Sequence, residues 1–178
     1  HAMVAYAKDQ VDVHYRTWDG TNWSSEGTLA AVAGAVGKAR WTMMDADPNS
    51  DHIVMGVITE SSDAYLAIWD GSTWNAADKL LASTDLSNRT VQNFAVAFES
   101  QSGEALATYA ENGNSVIQYR TWSSGSGWSA AMAGPDLGDD GAGMTLDADP
   151  QSDSVMLSVV DQGRDVSYTL WNGTSWGA

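Results

Sequence analysis

The sequence predicts an all-β fold: a β-propeller, or a partial one, of about four blade repeats. Three observations predict it. A tryptophan hairpin recurs with a period near 50 residues, the length of a four-stranded propeller blade. An Asp-Pro turn recurs in constant register with that hairpin. The segments between alternate with the two-residue period of strands, and no segment has a convincing helical period.

The hairpins come first. Trp18-Asp19-Gly20-Thr21-Asn22-Trp23 returns as Trp69-Asp70-Gly71-Ser72-Thr73-Trp74 and as Trp171-Asn172-Gly173-Thr174-Ser175-Trp176. A looser copy runs from Trp122 to Trp128. The first tryptophans lie 51, 53 and 49 residues apart, and eight of the nine tryptophans sit in these pairs. Asp-Gly readily takes positive φ, which a tight turn requires. Upstream, Asp45-Ala46-Asp47-Pro48-Asn49-Ser50-Asp51 returns as Asp147-Ala148-Asp149-Pro150-Gln151-Ser152-Asp153. Each copy lies 24 residues before its Trp pair. The intervening copy, Phe98 to Glu104, keeps a polar turn and loses the Asp-Pro signature.

Each unit therefore reads as four antiparallel strands. In the second unit these are Arg40 to Ala46, His52 to Thr59, Ala64 to Trp69, and a strand opened by Trp74. The third strands alternate when aligned on their Trp. One face carries Val13, Tyr15 and Thr17, then Ala64, Leu66 and Ile68, then Ile117, Tyr119 and Thr121, then Val166, Tyr168 and Leu170. Long connections follow the fourth strands, Leu80 to Thr90 among them. Residues 1–3 read as a cloning remnant, and 4–178 as one domain with repeats at about 4–38, 39–90, 91–141 and 142–178. The first repeat is incomplete, because no innermost strand precedes Val4.

The Trp-Asp-Gly-x-x-Trp hairpins resemble those of Trp-rich β-propeller modules, the propeller lectins among them. They are loosely similar to the Asp-box hairpin of sialidase-type propellers. The Asp-box has one residue between its Asp and Gly, whereas Asp19-Gly20 and Asp70-Gly71 are adjacent. The resemblance implies blade architecture and a glycan as a partner.

Charge narrows the function. The net charge of -15 repels phosphate, which argues against nucleic acid. No cysteine is present, so disulfides and thiolate metal sites are excluded. No apolar run reaches the roughly 18 residues of a membrane helix. The expectation is a non-catalytic recognition or scaffold module, extracellular or on the cell surface, that binds a glycan or a protein. The alternatives are a self-assembling propeller fragment completed by a second chain, and a glycoside hydrolase. A homo-oligomer, or further blades of a longer array, follows from the incomplete first repeat.

Candidate binding residues are Trp41, the one unpaired Trp, and Arg16 and Arg120 at equivalent third-strand positions. Pairing with neighbouring acids is the plainer role for the two arginines. No cofactor is expected. The alternative is calcium on Asp45, Asp47, Asp51, Asp147, Asp149 and Asp153, which alternate as calcium ligands do. Against calcium, the turns lack the sharp-turn glycine and the bidentate Glu of a calcium loop. Backbone capping by the Asp and Ser side chains suits them better. The three histidines have no metal-ligand spacing, and no serine sits in a nucleophile elbow.

Overall fold

The computed structural model describes residues 2–76, 78–79 and 91–177. The predicted connection from Leu80 to Thr90 lies outside the described residues. Fifteen strands in four antiparallel sheets make up the described fold. The first sheet holds β1 (Ala2–Ala7), β2 (Val13–Trp18) and β3 (Gly27–Leu29) in that order. The second holds β4 (Ala39–Ala46), β5 (His52–Thr59), β6 (Ala64–Asp70) and β7 (Asp78–Lys79). In the third, β8 (Phe94–Phe98), β9 (Ala105–Tyr109) and β10 (Val116–Ser123) pair in turn, and β10 also pairs β11 (Gly127–Trp128) and β12 (Met132–Asp136). The last is β13 (Gly141–Ala148), β14 (Val155–Asp161) and β15 (Val166–Trp171). Among the described residues no helix is long and apolar enough to cross a membrane.

Alignment on the Trp hairpins makes β1 the counterpart of β5, β9 and β14. Among the described residues the first sheet thus lacks the inner strand that β4, β8 and β13 supply elsewhere, as the sequence predicts. Ala2 and Met3 lie within β1, opposite Trp18 and Thr17.

Among the described residues the sheets have three, four, five and three strands, so the expected four hold in the second sheet and are corrected in the third and the last. In three repeats the fourth strand does not open at the second Trp: Trp23, Trp74 and Trp176 each make one isolated bridge to the first Trp of their pair, whereas Trp128 lies in β11 and pairs with Trp122. After Trp23, Trp74 and Trp128 the next residue contacts the third strand through both backbone and side chain. Ser24, Asn75 and Ser129 each donate their backbone N–H to the third strand and turn a side-chain oxygen back onto it. Ser24 Oγ accepts from Thr17 N, Asn75 Oδ1 from Ile68 N, and Ser129 Oγ from Thr121 N. A side chain that takes a ladder hydrogen bond displaces the backbone that would have made it.

The hairpin turns repeat atom for atom. Asp19 Oδ1 accepts the N–H groups of Thr21 and Asn22, Asp70 Oδ1 those of Ser72 and Thr73, and Asn172 Oδ1 those of Thr174 and Ser175. Gly20, Gly71 and Gly173 follow with φ of 102°, 97° and 94°, which favours glycine. Hydrogen bonds from Thr73 and Ser72 hold the exposed Asp70 carboxyl at about 2. Its contribution to stability is therefore present above the unfolded carboxyl value and lost as pH falls through about 2. Asp70→Asn should flatten that acid-side slope and leave the neutral-pH melt almost unchanged, since Asn172 does the same work uncharged. Thermal melts between pH 2 and 7 check this; an unchanged acid slope would contradict it.

Apolar side chains lie between consecutive sheets in three clusters. Val13, Leu29, Met55, Val57 and Tyr65 join the first sheet to the second, and the Tyr65 hydroxyl donates to the Val11 carbonyl. Val54, Ile58 and Leu66 of the second sheet meet Phe94, Val96 and Phe98 of the third. Leu106 and Ile117 of the third meet Leu146, Leu157 and Trp171 of the last. Each middle sheet is apolar on both faces because it is sandwiched between two others.

Candidate functional site

A cleft of about 830 Å³ opens between the first and second sheets. Met3, Asp45, Asp51, His52 and Trp69 are among its lining residues. Each is set by the repeat. Trp69 lies one residue before the end of β6, is 9% exposed, and meets Tyr15 and Trp74 edge-on at 5.6 Å each. His52 opens β5, and its ring stands 5.2 Å from Trp122. Asp51 packs over the Gly71 turn, so closely that a Cβ on Gly71 would lie 2.9 Å from it. Asp45 Oδ2 accepts the Phe98 N–H at 2.7 Å, which ties the cleft wall to the third sheet.

The cleft carries Asp19, Asp45 and Asp51 and neither Lys nor Arg among its described lining residues. That field disfavours an anionic ligand and suits a neutral one with hydroxyl donors. Indole and thioether surface beside carboxylate acceptors offers a sugar both an apolar wall and hydrogen-bond partners.

The sequence-predicted residues fall elsewhere, two Asp excepted. Trp41 is half-buried and packs against the cluster between the second and third sheets. Arg16 Nη1 donates to the Ser24 carbonyl at 2.9 Å, and Arg120 Nε to the Ser129 carbonyl at 2.6 Å. Arg120 also stands 5.8 Å over the Trp128 ring. Their equivalent positions thus do equivalent work, bracing the segment after the second Trp. Asp45 and Asp51 reach the cleft. Asp47 accepts Asn49 N and Ser50 Oγ, and Asp149 accepts Gln151 N and Ser152 Oγ. Asp153 Oδ1 accepts the Gln101 and Ser102 N–H groups, and Asp147 Oδ2 the Thr145 hydroxyl. Among the described residues, no three His, Asp or Glu gather as a metal-holding group.

Three of the four recurring Trp pairs pack between sheets. The buried Nε1 atoms of Trp74, Trp128 and Trp176 have no hydrogen-bond partner. Those indoles serve through their rings. Trp171 differs: its Nε1 donates to Glu99 Oε1 at 2.6 Å across the last joint. His52 and Glu99 were missed by sequence reasoning.

No protein-family model matches the sequence, and no curated protein matches it. Solved structures do match in fold. The fungal lectin of Aleuria aurantia, a six-bladed β-propeller with a fucose recognition mode, has a TM-score of 0.64 at 13% identity, covering 98% of this chain and 54% of that one. The SapL1 lectin, solved with α-methyl fucoside, has 0.61 at 20%, covering 98% and 57%. The intramolecular trans-sialidase of Ruminococcus gnavus, solved with oseltamivir carboxylate, has 0.56 at 14%, covering 96% and 40%. The chain thus spans just over half the length of those two lectins. At these identities the likeness is one of fold, and it bears out the resemblance to propeller-lectin blades.

Proposed function

We propose that the chain is a recognition module that binds a neutral glycan without transforming it, acts outside the cell, and works within an assembly larger than its own four sheets. The cleft between the first and second sheets carries this reading. It offers the Trp69 indole and Met44 as apolar wall, with Asp45, Asp51 and His52 as polar partners and neither Lys nor Arg among the described lining residues. The fold it shares with two lectins, one solved with a fucoside and one with a fucose recognition mode, points to the same ligand class. A sialidase-like role would need cations for an acidic sugar, and the cleft's described lining has none. Calcium has no part in the proposal. The oxygens of Asp47 and Asp149 are taken by turn N–H and hydroxyl groups.

The test is retention of neutral and sialylated glycans by the chain, with and without a calcium chelator, and by Asp51→Ala. We expect neutral glycans to be retained, unchanged by the chelator, and at least tenfold weaker in the variant, roughly the worth of one charge-assisted hydrogen bond. No hydrolysis product should accumulate. Retention of sialylated glycans alone, or steady product release, would contradict the reading.

A further inference from the structure

The internal joints share one device. Tyr15 of the first sheet meets Trp69 and Trp74 of the second at 5.6 and 5.8 Å, at interplanar angles of 67° and 81°. Tyr119 of the third sheet meets Trp171 and Trp176 of the last at 5.3 and 5.7 Å, at 60° and 86°. In both, a tyrosine three residues before its own sheet's Trp enters the Trp pair of the following sheet. The middle joint has Leu66 at that position, in the same cluster as Trp122 and Trp128.

Each half of this joint also exists without its other half. Tyr168 of the last sheet, three residues before Trp171, is 80% exposed. The Trp18–Trp23 pair of the first sheet has its rings 5.4 Å apart, and Trp23 is 48% exposed. Around Tyr168 the cross-strand pairs Met156–Leu170 and Val160–Val166 put four more exposed apolar side chains on the same face. Val4, opposite Arg16, adds another beside Trp18 and Trp23. Among the described residues eight large apolar side chains are exposed, and seven of them lie on these two faces. That concentration separates them from ordinary scattered surface residues. Charge agrees in sign, with Arg16 on the first face and Asp147, opposite Met156, on the last.

We infer that these faces are the two sides of one head-to-tail joint, and that the occupant of each is a second copy of this chain. Tyr168 of one copy enters the Trp18–Trp23 pair of the other, repeating the joints of Tyr15 and Tyr119. Two copies joined at both ends close a ring of about eight sheets, within the usual blade range. The inference rests on the larger-assembly part of the proposed function and is independent of the glycan.

Light scattering at micromolar to high micromolar concentration tests it, on the chain and on Tyr168→Lys and Trp23→Lys. Tyr168 is 80% exposed, so Tyr168→Lys should not lower the melting temperature when dilute, and a dilute melt of Trp23→Lys, which loses its ring contact with Trp18, checks that the single chain still folds. We expect the chain to show twice its single-chain mass. Each variant should need at least about 30-fold more protein to assemble, the loss typical of an interface hot spot. Mixing the two variants should restore part of the assembly, because the mixture retains one intact joint. A single-chain mass at every concentration would overturn the inference and give the two faces to other blades or another protein. A dimer disrupted by Tyr168→Lys alone would overturn it in favour of a symmetric contact between last sheets. Glycan retention, measured on the same samples, reports separately on the cleft.

Discussion

Trp171→Ala should cost about 5 kcal/mol, the upper end for a buried aromatic. The indole is 3% exposed and lies 5.3 Å from both Tyr119 and Trp176, so its loss empties the centre of the last joint. It also removes the donor to Glu99 Oε1. Glu99 then keeps only the Ser102 hydroxyl among its side-chain partners described here. Burial already pushes the Glu99 carboxyl up, against the hydrogen bonds from Ser102 and Trp171. A raised carboxyl stabilises the fold below its unfolded value, and that contribution is lost as pH rises through its folded value. Losing the indole N–H should therefore hurt more at pH 7 than at pH 4. Trp171→Phe keeps most of the ring and loses the donor; it should cost about 1–3 kcal/mol. Urea melts of both variants check this. A loss under about 1 kcal/mol for Trp171→Ala would mean that the recurring indoles do not build the joints.

The second large effect lies at the middle joint. Phe94 is fully buried, and a Cβ on Gly56 would lie 2.5 Å from its Cε2. Gly56 is thus the hollow in β5 that admits the Phe94 ring. Phe94→Ala should cost about 3–5 kcal/mol. Gly56→Ala should cost about 1–3 kcal/mol by overpacking against the same ring. The two should not add. With Phe94 gone the new methyl meets space, so the double variant should be at least about 1 kcal/mol more stable than the sum predicts. Simple additivity in denaturant melts would mean that the ring does not fill this hollow.

Much of this architecture was legible because it repeats. Trp18, Trp69, Trp122 and Trp171 marked one strand in each unit, and Gly20, Gly71 and Gly173 marked its turn. The alternation ending at each Trp located the faces that pack on the following sheet. The fourth strands after Trp23 and Trp74 were misread because a side-chain oxygen on Ser24 or Asn75 competes with the ladder. Sequence periodicity does not report that competition. The Glu99–Trp171 bond joins residues 72 apart, and Glu99 sits where the Asp-Pro signature is lost, so nothing local marked it. The cleft was not legible, because the residues that face it depend on how two sheets meet. Arg16 and Arg120 were placed as equivalents, and the structure gives them equivalent carbonyl partners.

The central claim is a division of labour: the recurring Trp pairs hold sheets together, and the cleft beside Trp69 meets the ligand. Nitrogen–proton correlation spectra of the indole N–H groups, taken while a neutral glycan is added, test both halves together. The account predicts that the Trp69 signal moves with saturation. The Trp128 and Trp176 signals should stay in place and exchange slowly with solvent, because their nitrogens are buried between sheets. Movement of Trp128 and Trp176 with a stationary Trp69 would contradict the account and make the Trp pairs themselves the binding platforms.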